Sequence, residues 1–274
     1  MPVATSSELI ADRSLVDEYL TSLLSAEVVS SRQSRVQQAM HYAVLGSAQR
    51  IRPILALRVA RLLHAPAAST LRAAAAVELL HCASLIVDDL PCMDNSPTRR
   101  NKPSVHVKFG EATAVLAAFA LVALSARIVS QSENRDEDQH LRAAFQARLL
   151  RTLDCCGLID GQAMDLHLDG SNAACSDVME LKTVPLFQLA VHAATTFTTI
   201  DENERALLTC FGREFGLTFQ ITDDLLDGEI VGRSILAEKL MTLRAVVAPF
   251  GPRRRPLEEL IDYLQDRVSE LDSK

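Results

Sequence analysis

Long segments rich in alanine, leucine and valine run through this chain, and few turn-forming residues interrupt them. Only 10 glycines and 10 prolines occur among 274 residues, of which 48% are hydrophobic. A β-sandwich or barrel needs turn residues about every 8–12 positions, and apolar residues alternate with polar ones over no useful length here. The sequence therefore predicts an all-α fold, a helical bundle with one large core in a single domain over residues 1–274.

The apolar segments and their breakers set the expected helix limits. Ser69 is the expected N-cap of the fourth helix, and Pro91, which cannot continue a helical hydrogen-bond ladder, is its expected end. Polar connections are expected at Asn95–Pro103 and Gln131–Asp138. The expected helices are Glu8–Ser25, Ser34–Leu45, a third with Pro53 in its first turn that ends near Ala65, Thr70–Leu90, one that contains Ala112–Ala126, Gln139–Leu166, Ser176–Thr196, Asp201–Leu226, Ile235–Ala248 and Pro256–Asp272.

Charge and composition argue against several classes of protein. The formal net charge of −7 disfavours nucleic-acid binding. Charged residues run through Met1–Asp17, which lacks the apolar core of a signal peptide. The longest apolar run, Ala112–Ala126, is shorter than the roughly 18–20 residues of a transmembrane helix. We therefore expect no transmembrane segment. The six cysteines lack metal-ligand spacing and are typical of reduced thiols, which favours a cytoplasmic protein.

A first group of carboxylates, the first aspartate motif, follows the fourth expected helix. Asp88 and Asp89 end a segment in which Glu78 is the one charged residue from Ala73 onwards, and Asp94 lies just beyond. Carboxylates at a helix C-terminus oppose the helix dipole and repel each other, each effect costing up to about 1 kcal/mol. A solvated helix end tolerates that cost, whereas a bound cation reverses its sign.

A second aspartate motif ends another apolar helix. Asp223 and Asp227 are four residues apart and Asp224 and Asp227 three apart, so all three can share one helix face. One such cluster is more often a solvated helix end, but two clusters favour a metal site. Carboxylates without histidine or cysteine suit Mg²⁺, which completes its shell with water and phosphate oxygens. We therefore expect a diphosphate bridged by several metal ions.

Basic residues near these motifs can supply the donors that phosphate requires. Arg52 precedes the first aspartate helix, Arg99 and Arg100 follow Asp94, and Lys182 lies on a later helix. An isolated pair such as Arg99-Arg100 is usually solvated, but beside the first aspartate motif it becomes a candidate phosphate clamp.

From about Gln38 to Asp227 the sequence resembles the trans-isoprenyl diphosphate synthases of the farnesyl and geranylgeranyl type. The resemblance implies an all-helical prenyltransferase bundle around a central cavity (the isoprenoid synthase type), as a homodimer or as a heterodimer with a related synthase. It also implies Mg²⁺-dependent, head-to-tail condensation of isopentenyl diphosphate with an allylic diphosphate. Its carriers are Gly46-Ser-Ala-Gln-Arg-Ile-Arg-Pro53, Glu78-Leu-Leu-His81, Asp88-Asp-Leu-Pro-Cys-Met-Asp94, Arg99-Arg-Asn-Lys-Pro-Ser-Val-His106, Phe109-Gly-Glu111, Gly161-Gln-Ala-Met-Asp165, Lys182-Thr183 and Phe219-Gln-Ile-Thr-Asp-Asp-Leu-Leu-Asp227.

The same resemblance implies a role for each matching residue. Three Mg²⁺ ions, bound with the allylic diphosphate, are expected on Asp88, Asp89, Asp94, Asp223, Asp224 and Asp227. Arg99 is expected on the allylic diphosphate, and Arg52, His81 and Arg100 on isopentenyl diphosphate. Residues expected to flank the reacting centre or support it are Lys182, Thr183, Gln220, Gln162 and Asp165.

Several positions depart from the family pattern. Gln49 stands where the family has a lysine that binds diphosphate, and Asn101 replaces a glycine. The lysine-bearing stretch beyond the second motif is shortened after residue 227, where Lys239 is the candidate substitute. A lost lysine–phosphate contact costs about 1.5–3 kcal/mol. Two alternatives therefore stay open: a non-catalytic regulatory subunit of a prenyl diphosphate synthase, or a class I terpene synthase on the same scaffold.

Product length is the subject of our first prediction. The residues four and five positions before Asp88 are Ser84 and Ala83, both small, where an aromatic side chain would block chain growth in this family. We expect a product of 20 carbons or longer in preference to 15, unless Phe119 on a neighbouring helix supplies a floor. Ala83→Phe should shorten the product, measured by chromatography of the dephosphorylated prenols. An unchanged length would contradict this account of the pocket.

Overall fold

The computed structural model describes residues 7–27, 33–131, 139–155, 157–166, 178, 180–228 and 233–269, and over these the expected all-α fold is confirmed. A 3₁₀ segment, Ala248–Arg254, precedes the last helix, and two short strands, β1 (Thr98–Arg99) and β2 (Lys102–Pro103), form a hairpin. The helices are α1 (Ser7–Ala26), α2 (Arg35–Val44), α3 (Ile51–Leu63), α4 (Ala67–Asp88), α5 (Val105–Phe109), α6 (Glu111–Ser130), α7 (Gln139–Leu153), α8 (Leu158–Leu166), α9 (Val184–Thr195), α10 (Glu202–Leu226), α11 (Arg233–Val247) and α12 (Arg255–Ser269).

Helix α4 is central to the packing, because it contacts α3, α6 and α9. Helix α9 also packs on α10, and glycines allow this pair to approach closely. A Cβ atom at Gly216 would lie 2.9 Å from the Phe187 ring, and one at Gly212 would lie 2.8 Å from the Val191 side chain. Both contacts are too short for a larger residue without movement of a neighbour, so these glycines set the spacing of α9 and α10.

Capping determines where several helices begin. Ser34 and Gln37 form a reciprocal capping box at α2, and Asp201 accepts a hydrogen bond from the Glu204 amide at the start of α10. The expectation for Ser69 was wrong. Helix α4 begins at Ala67, directly after Pro66 in extended backbone, and this places Ser69 inside the first turn rather than at the cap.

One expected helix is divided in the structure. Residues 139–166 were predicted as a single helix, but α7 ends at Leu153 and α8 starts at Leu158. Gly157 lies in the break, where an added Cβ would come within 2.2 Å of the Thr152 carbonyl oxygen. Residues 132–138 of the expected charged connection and the expected helix boundaries at Ser176 and Asp272 lie outside the described residues.

The polar segment after the first aspartate motif folds into the β1–β2 hairpin, which the sequence pattern did not predict. Its two turn residues, Arg100 and Asn101, both adopt positive φ angles, of 54° and 61°. Positive φ at both positions is what a two-residue hairpin turn of type I′ requires, and asparagine tolerates it better than most residues other than glycine. Asn101 in place of the family's glycine is therefore compatible with the hairpin that presents Arg99 and Arg100.

Two described helices, α4 and α6, are long and apolar enough to cross a membrane on length and hydropathy alone. About two thirds of the apolar window of α4 is buried, as in a core helix, but only 44% of that of α6 is buried. The outer face of α6 exposes Val115, Leu116 and Phe119. Phe119 is 68% exposed, so within one chain it does not floor an internal pocket.

A buried ion cluster joins the first, third and last described helices. The guanidinium of Arg58 is fully buried and donates to Asp12 at 2.6 Å and to Glu259 at 2.5 Å. Arg61 also donates to Asp12. Breaking a buried pair of this kind leaves an uncompensated charge, which is strongly destabilising. The cluster therefore fixes α12 against α1 and α3.

A histidine on α9 produces a testable pH dependence. Burial, together with the nearby Arg148 and Arg205, lowers the pKa of His192 to about 4, and Arg148 donates to its Nε2 at 2.9 Å. The folded state therefore keeps His192 neutral, while the unfolded chain takes up a proton below about pH 6.5. Stability from this group is present at neutral pH and is lost as pH falls from about 6.5 towards 4.

We predict that His192→Gln, which can keep an acceptor for Arg148, reduces the loss of unfolding free energy between pH 7 and 4.5 by about 1–2 kcal/mol relative to the unmodified chain. Urea denaturation at the two pH values measures this difference. His64→Gln, at an exposed histidine, serves as the control and should leave the pH dependence unchanged. Equal losses in all three proteins would contradict the assignment.

Candidate active site

The first aspartate motif occupies the end of α4 and the turn that follows. Asp89 caps α4 and is buried, and its carboxylate accepts from Arg99 Nε at 3.0 Å and from Nη2 at 2.5 Å. The turn folds back so that the Asp94 amide donates to the Asp88 carbonyl oxygen at 3.0 Å. The motif therefore forms a compact acidic turn, which the hairpin arginine Arg99 closes on one side.

Asp88 lies in a strained electrostatic environment. Burial raises the pKa of its carboxyl to about 6, and the neighbouring Asp94 and Asp89 add to the shift, whereas Lys182 and Arg99 oppose it. A partly desolvated carboxylate among like charges binds a cation favourably, because the cation offsets both the desolvation penalty and the repulsion.

The second aspartate motif ends α10, and each of its two half-buried members, Asp223 and Asp224, has a different partner. Asp223 accepts from Arg267 Nη2 at 2.6 Å. Asp224 accepts from Gln220 Nε2 at 2.8 Å, and the side-chain oxygen of Gln220 accepts a long hydrogen bond, 3.4 Å, from the Thr183 hydroxyl. Asp227, the C-cap of α10, is exposed.

Lys182 and Thr183 lie between the two motifs, just before α9. Lys182 Nζ donates to Asp165 on α8 at 2.6 Å, and its charge acts on Asp88. Gly161 permits this contact between α8 and residues 181–182, because a Cβ there would lie 2.8 Å from the Leu181 backbone. The side-chain amide of Gln162 is buried with no hydrogen-bond partner in the described part of the chain, so it is available to a ligand or water.

A separate, basic group lies where α3 meets α4. Arg52 Nη1 donates to His81 Nε2 at 3.2 Å, and its guanidinium stacks over the Phe187 ring at 4.6 Å. Burial lowers the pKa of His81 well below its usual value, and Arg52 and Arg100 lower it further. A neutral His81 that accepts at Nε2 carries its proton on Nδ1.

This basic group lacks sufficient negative charge. Burial lowers the pKa of Arg52 to about 10, and Arg100 contributes, while Glu78 and Asp223 oppose the change. Arg52 Nε is buried and has no acceptor among the described residues. Closely spaced cations, one of which carries a buried and unused donor, are suited to binding an anion such as a diphosphate.

Arg50 was not assigned a role from the sequence, although it positions this group. Its guanidinium is 1% exposed and donates to Asp17 at 2.8 Å and to buried Glu78 at 2.7 Å. A third donation reaches the Val44 carbonyl oxygen. Arg50 also has φ 56° and is the N-cap of α3, so these contacts hold a strained backbone two residues before Arg52. Glu78, the charged exception in an apolar helix, was the available signal.

Lys239 has a different partner from the one expected, and the contact of Arg267 with the second aspartate motif was not predicted from the sequence. Lys239, the candidate substitute for a missing lysine, pairs instead with Glu214 at 2.8 Å, nine residues before Asp223. Arg267, which contacts Asp223, lies on α12 in the same stripe as the buried residues Leu260 and Leu264. A charged residue in an apolar stripe was a readable signal, but its partner could be found only in the fold.

The donor set fits a hard metal ion such as Mg²⁺. All six aspartates of the two motifs offer oxygen ligands, and half-buried Asp88 has the like charges of Asp94 and Asp89 beside it. Among the described residues, no three histidine, cysteine or acidic side chains form a ready-made metal cage. Mg²⁺ in particular uses one or two carboxylates and completes its shell with water and substrate phosphate. The arrangement therefore suits a cation that enters together with a phosphorylated ligand.

Comparisons with known proteins agree with this chemistry. The sequence profile of the polyprenyl synthetase family matches residues 33–232. Geranylgeranyl pyrophosphate synthase 11, chloroplastic, of Arabidopsis thaliana is 32% identical over 93% of this chain and 77% of its own length. Farnesyl diphosphate synthase of Geobacillus stearothermophilus is 35% identical over 72% of this chain and 67% of its own length.

A solved structure gives the same result for the fold. The FPP/GFPP synthase of Zymomonas mobilis superposes with a TM-score of 0.85 and 30% identity, covering 96% of this chain and 99% of that one. The chain therefore belongs to the polyprenyl synthetase family, whose all-helical isoprenoid synthase fold it adopts.

Our prediction for this site concerns the pair that supports Arg52. Arg50→Met should lower the free energy of unfolding by about 3–5 kcal/mol, because it leaves Glu78 buried without a partner. Methionine and arginine both carry a Cβ, so the strain of the positive φ angle is similar in the two proteins. Chemical denaturation of both proteins measures the difference.

The control adds a second substitution. Glu78→Gln in the Arg50→Met background removes the unpaired charge and should recover a large part of the loss. If Arg50→Met alone destabilises by less than about 1 kcal/mol, which is typical of surface pairs, the proposed support is refuted.

Proposed function

We propose that this chain is a prenyltransferase that elongates an allylic diphosphate by head-to-tail condensation with isopentenyl diphosphate. Membership of the polyprenyl synthetase family supports chain elongation. One observation supports the more specific assignment. The acidic group of the two aspartate motifs, which is suited to binding cations, lies close enough to the basic group around Arg52, which is suited to binding an anion, for their charges to interact. Asp223 of the acidic group acts on Arg52 of the basic group.

The two aspartate motifs form the proposed allylic subsite. Asp88, Asp89, Asp94, Asp223, Asp224 and Asp227 would hold Mg²⁺, in three ions by the family pattern. When bound, Mg²⁺ supplies positive charge that stabilises the departing diphosphate. Arg99, held by Asp89, and Lys182, held by Asp165, are the cationic side chains oriented beside this subsite.

The Arg52–His81–Arg100 group forms the proposed subsite for isopentenyl diphosphate. Arg52 has an unused Nε, and neutral His81 offers its Nδ1 proton, so both can donate to phosphate oxygens. Packing of Phe187 against the Arg52 guanidinium keeps the donor group in place and excludes water from one side.

The reaction needs no protein nucleophile. The allylic carbon–oxygen bond breaks and its electron pair leaves with the diphosphate. The double bond of isopentenyl diphosphate forms the new carbon–carbon bond, and a proton then passes from the resulting carbocation to the departed diphosphate, which regenerates a double bond in the product. The chain's contribution is orientation of two diphosphates and stabilisation of charge on the leaving group. The Thr183 hydroxyl oxygen and the Gln220 side-chain oxygen, linked through Gln220 to Asp224, would be the neutral oxygen atoms beside the proposed site of the carbocation.

We also infer that a second subunit covers the outer face of α6. Val115, Leu116 and Phe119 form an exposed apolar surface on a helix whose other face is packed in the core. A second copy, or a related synthase, would bury this surface. One domain over residues 1–274 is the unit that would pair.

The proposed product length rests on Ala83 and Ser84, the two residues expected to line the pocket for the growing prenyl chain. Ala83 is small and buried, and the Ser84 hydroxyl is turned to the His81 carbonyl oxygen, at 2.9 Å. Neither residue provides a bulky floor, which supports a product of 20 carbons or longer.

A product assay tests the proposed function. The purified chain is incubated with Mg²⁺, isopentenyl diphosphate and allylic diphosphates of 5, 10 or 15 carbons, and the prenols are analysed after dephosphorylation. We expect longer prenyl diphosphates that disappear when Mg²⁺ is chelated. Absence of condensation with every primer, in a chain that binds Mn²⁺ and diphosphate, would refute the proposal. Hydrocarbon formation from the allylic diphosphate alone would indicate terpene synthase activity instead.

The departure at Gln49 gives a gain-of-function prediction. Gln49 is exposed just before Arg50, so a lysine fits there without repacking. Gln49→Lys should lower the KM for isopentenyl diphosphate about 10-fold, the effect of one added charge-assisted hydrogen bond, with little change in the KM of the allylic substrate. Gln131→Lys adds the same charge at an exposed site at the end of α6 and should change neither value. Equal effects of the two substitutions would contradict the assigned subsite.

A further inference from the structure

Arg267 on α12 has an environment unlike that of a surface arginine. Its side chain is only 9% exposed, and it lies on the helix stripe that also buries Leu260 and Leu264. Its guanidinium lies 5.1 Å from the Phe219 ring centre and 5.8 Å from that of Tyr263. Removing an arginine from water in this way is unfavourable unless its donors find acceptors.

Only one of the two terminal nitrogens of Arg267 has a hydrogen-bond acceptor among the described residues. Nη2 donates to Asp223 at 2.6 Å. Nη1 is buried beside it and has no hydrogen-bond partner in the part of the chain that the structure describes. A buried cation that lacks a hydrogen bond is costly. The Arg267 guanidinium therefore makes its full set of hydrogen bonds only when a further acceptor binds at Nη1.

Helix α12 holds this guanidinium in place from a distance. Glu259, two turns earlier on the same helix, accepts from buried Arg58 of α3, and the apolar side of α12 packs on α3 and α10. Arg267 is therefore presented to Asp223 by an anchored helix rather than by a loose terminus. Its contact differs in this respect from an ordinary exposed ion pair.

We propose that Arg267 is a diphosphate-binding residue: it neutralises Asp223 in the empty site and donates from Nη1 to the diphosphate of the allylic substrate in the filled one. This inference rests on the proposed function, because it assigns the allylic diphosphate to the aspartate motifs. A guanidinium can make both contacts at once, since its planar fork carries five donors in fixed directions.

Two opposite effects follow from this double role. Arg267 and a divalent cation compete for the same carboxylate, so loss of the guanidinium charge should strengthen metal binding in the absence of diphosphate. Loss of the Nη1 donor should weaken diphosphate binding once metal is present. A purely structural residue would instead weaken both, because its loss disturbs the site as a whole.

The experiment measures two affinities in the full chain, with Mn²⁺ and inorganic diphosphate as probes. Mn²⁺ binding is followed by electron paramagnetic resonance without diphosphate. Diphosphate binding is followed by calorimetry at saturating Mn²⁺. For Arg267→Gln we expect Mn²⁺ to bind about 3- to 10-fold more tightly and diphosphate about 10-fold more weakly.

Arg267→Lys separates charge from geometry. Lysine keeps the positive charge but lacks the planar fork, so Mn²⁺ affinity should stay within about two-fold of the original while diphosphate affinity still falls. In an Asp223→Asn background, Arg267→Gln should no longer change Mn²⁺ affinity. Arg254→Gln, which breaks a surface pair with Glu258, is the matched control and should alter neither affinity.

The outcomes separate the inference from the proposed function. If the original chain binds Mn²⁺ and diphosphate but Arg267→Gln changes neither affinity or weakens both, the role assigned to Arg267 is wrong while the proposed function stands. If the original chain binds neither probe, the proposed function fails, and this inference with it. If Arg267→Gln does not fold, as judged by circular dichroism, the result for Arg267→Lys decides between the outcomes.

Discussion

Carboxylates gathered at the ends of two apolar helices must be neutralised for this structure to be stable. Helix dipoles and mutual repulsion make such positions unfavourable unless cations face them. In this fold three separate elements bring those cations. The hairpin supplies Arg99, the segment before α9 supplies Lys182, and the last described helix supplies Arg267. The aspartates are therefore neutralised by tertiary contacts, which form only when these three elements pack around the two helix ends.

The neighbouring group of Arg52, His81 and Arg100 carries an excess of positive charge instead. Arg52 and Arg100 act on a half-buried, neutral His81, and the nearby acidic residue Glu78 is already engaged by Arg50. One region therefore carries excess negative charge and its neighbour excess positive charge. The protein's own side chains neutralise neither region completely. This costs stability when the site is empty, but it favours binding of a metal-bound diphosphate in the acidic region and of a metal-free diphosphate in the basic region.

The part of this architecture that follows local rules could be predicted from the sequence. The scarcity of glycine and proline predicted the helices, and the spacing of Asp223, Asp224 and Asp227 predicted an acidic helix end. The division between α7 and α8 was missed because it depends on a steric contact at Gly157 rather than on a strong breaker. The β1–β2 hairpin was missed because strands of two residues carry no periodicity.

Long-range contacts were beyond the reach of sequence patterns. Arg267 is 44 residues from Asp223 and Arg50 is 28 residues from Glu78. Arg267 and Glu78 each have the sequence signature of a charge in an apolar setting, but nothing in the spacing identifies the partner of either residue. Lys239 illustrates the converse case, since a lysine near the second motif in sequence is paired with Glu214 in the fold.

We propose that the two aspartate motifs act together as one site for a metal-bound diphosphate. A crystal structure of the chain with Mn²⁺ and inorganic diphosphate tests it most directly, because anomalous scattering locates the metal. We expect Mn²⁺ peaks at Asp88 or Asp89 and at Asp223 or Asp224, with one diphosphate between them. Diphosphate bound with metal at only one motif, or away from both, would contradict the account.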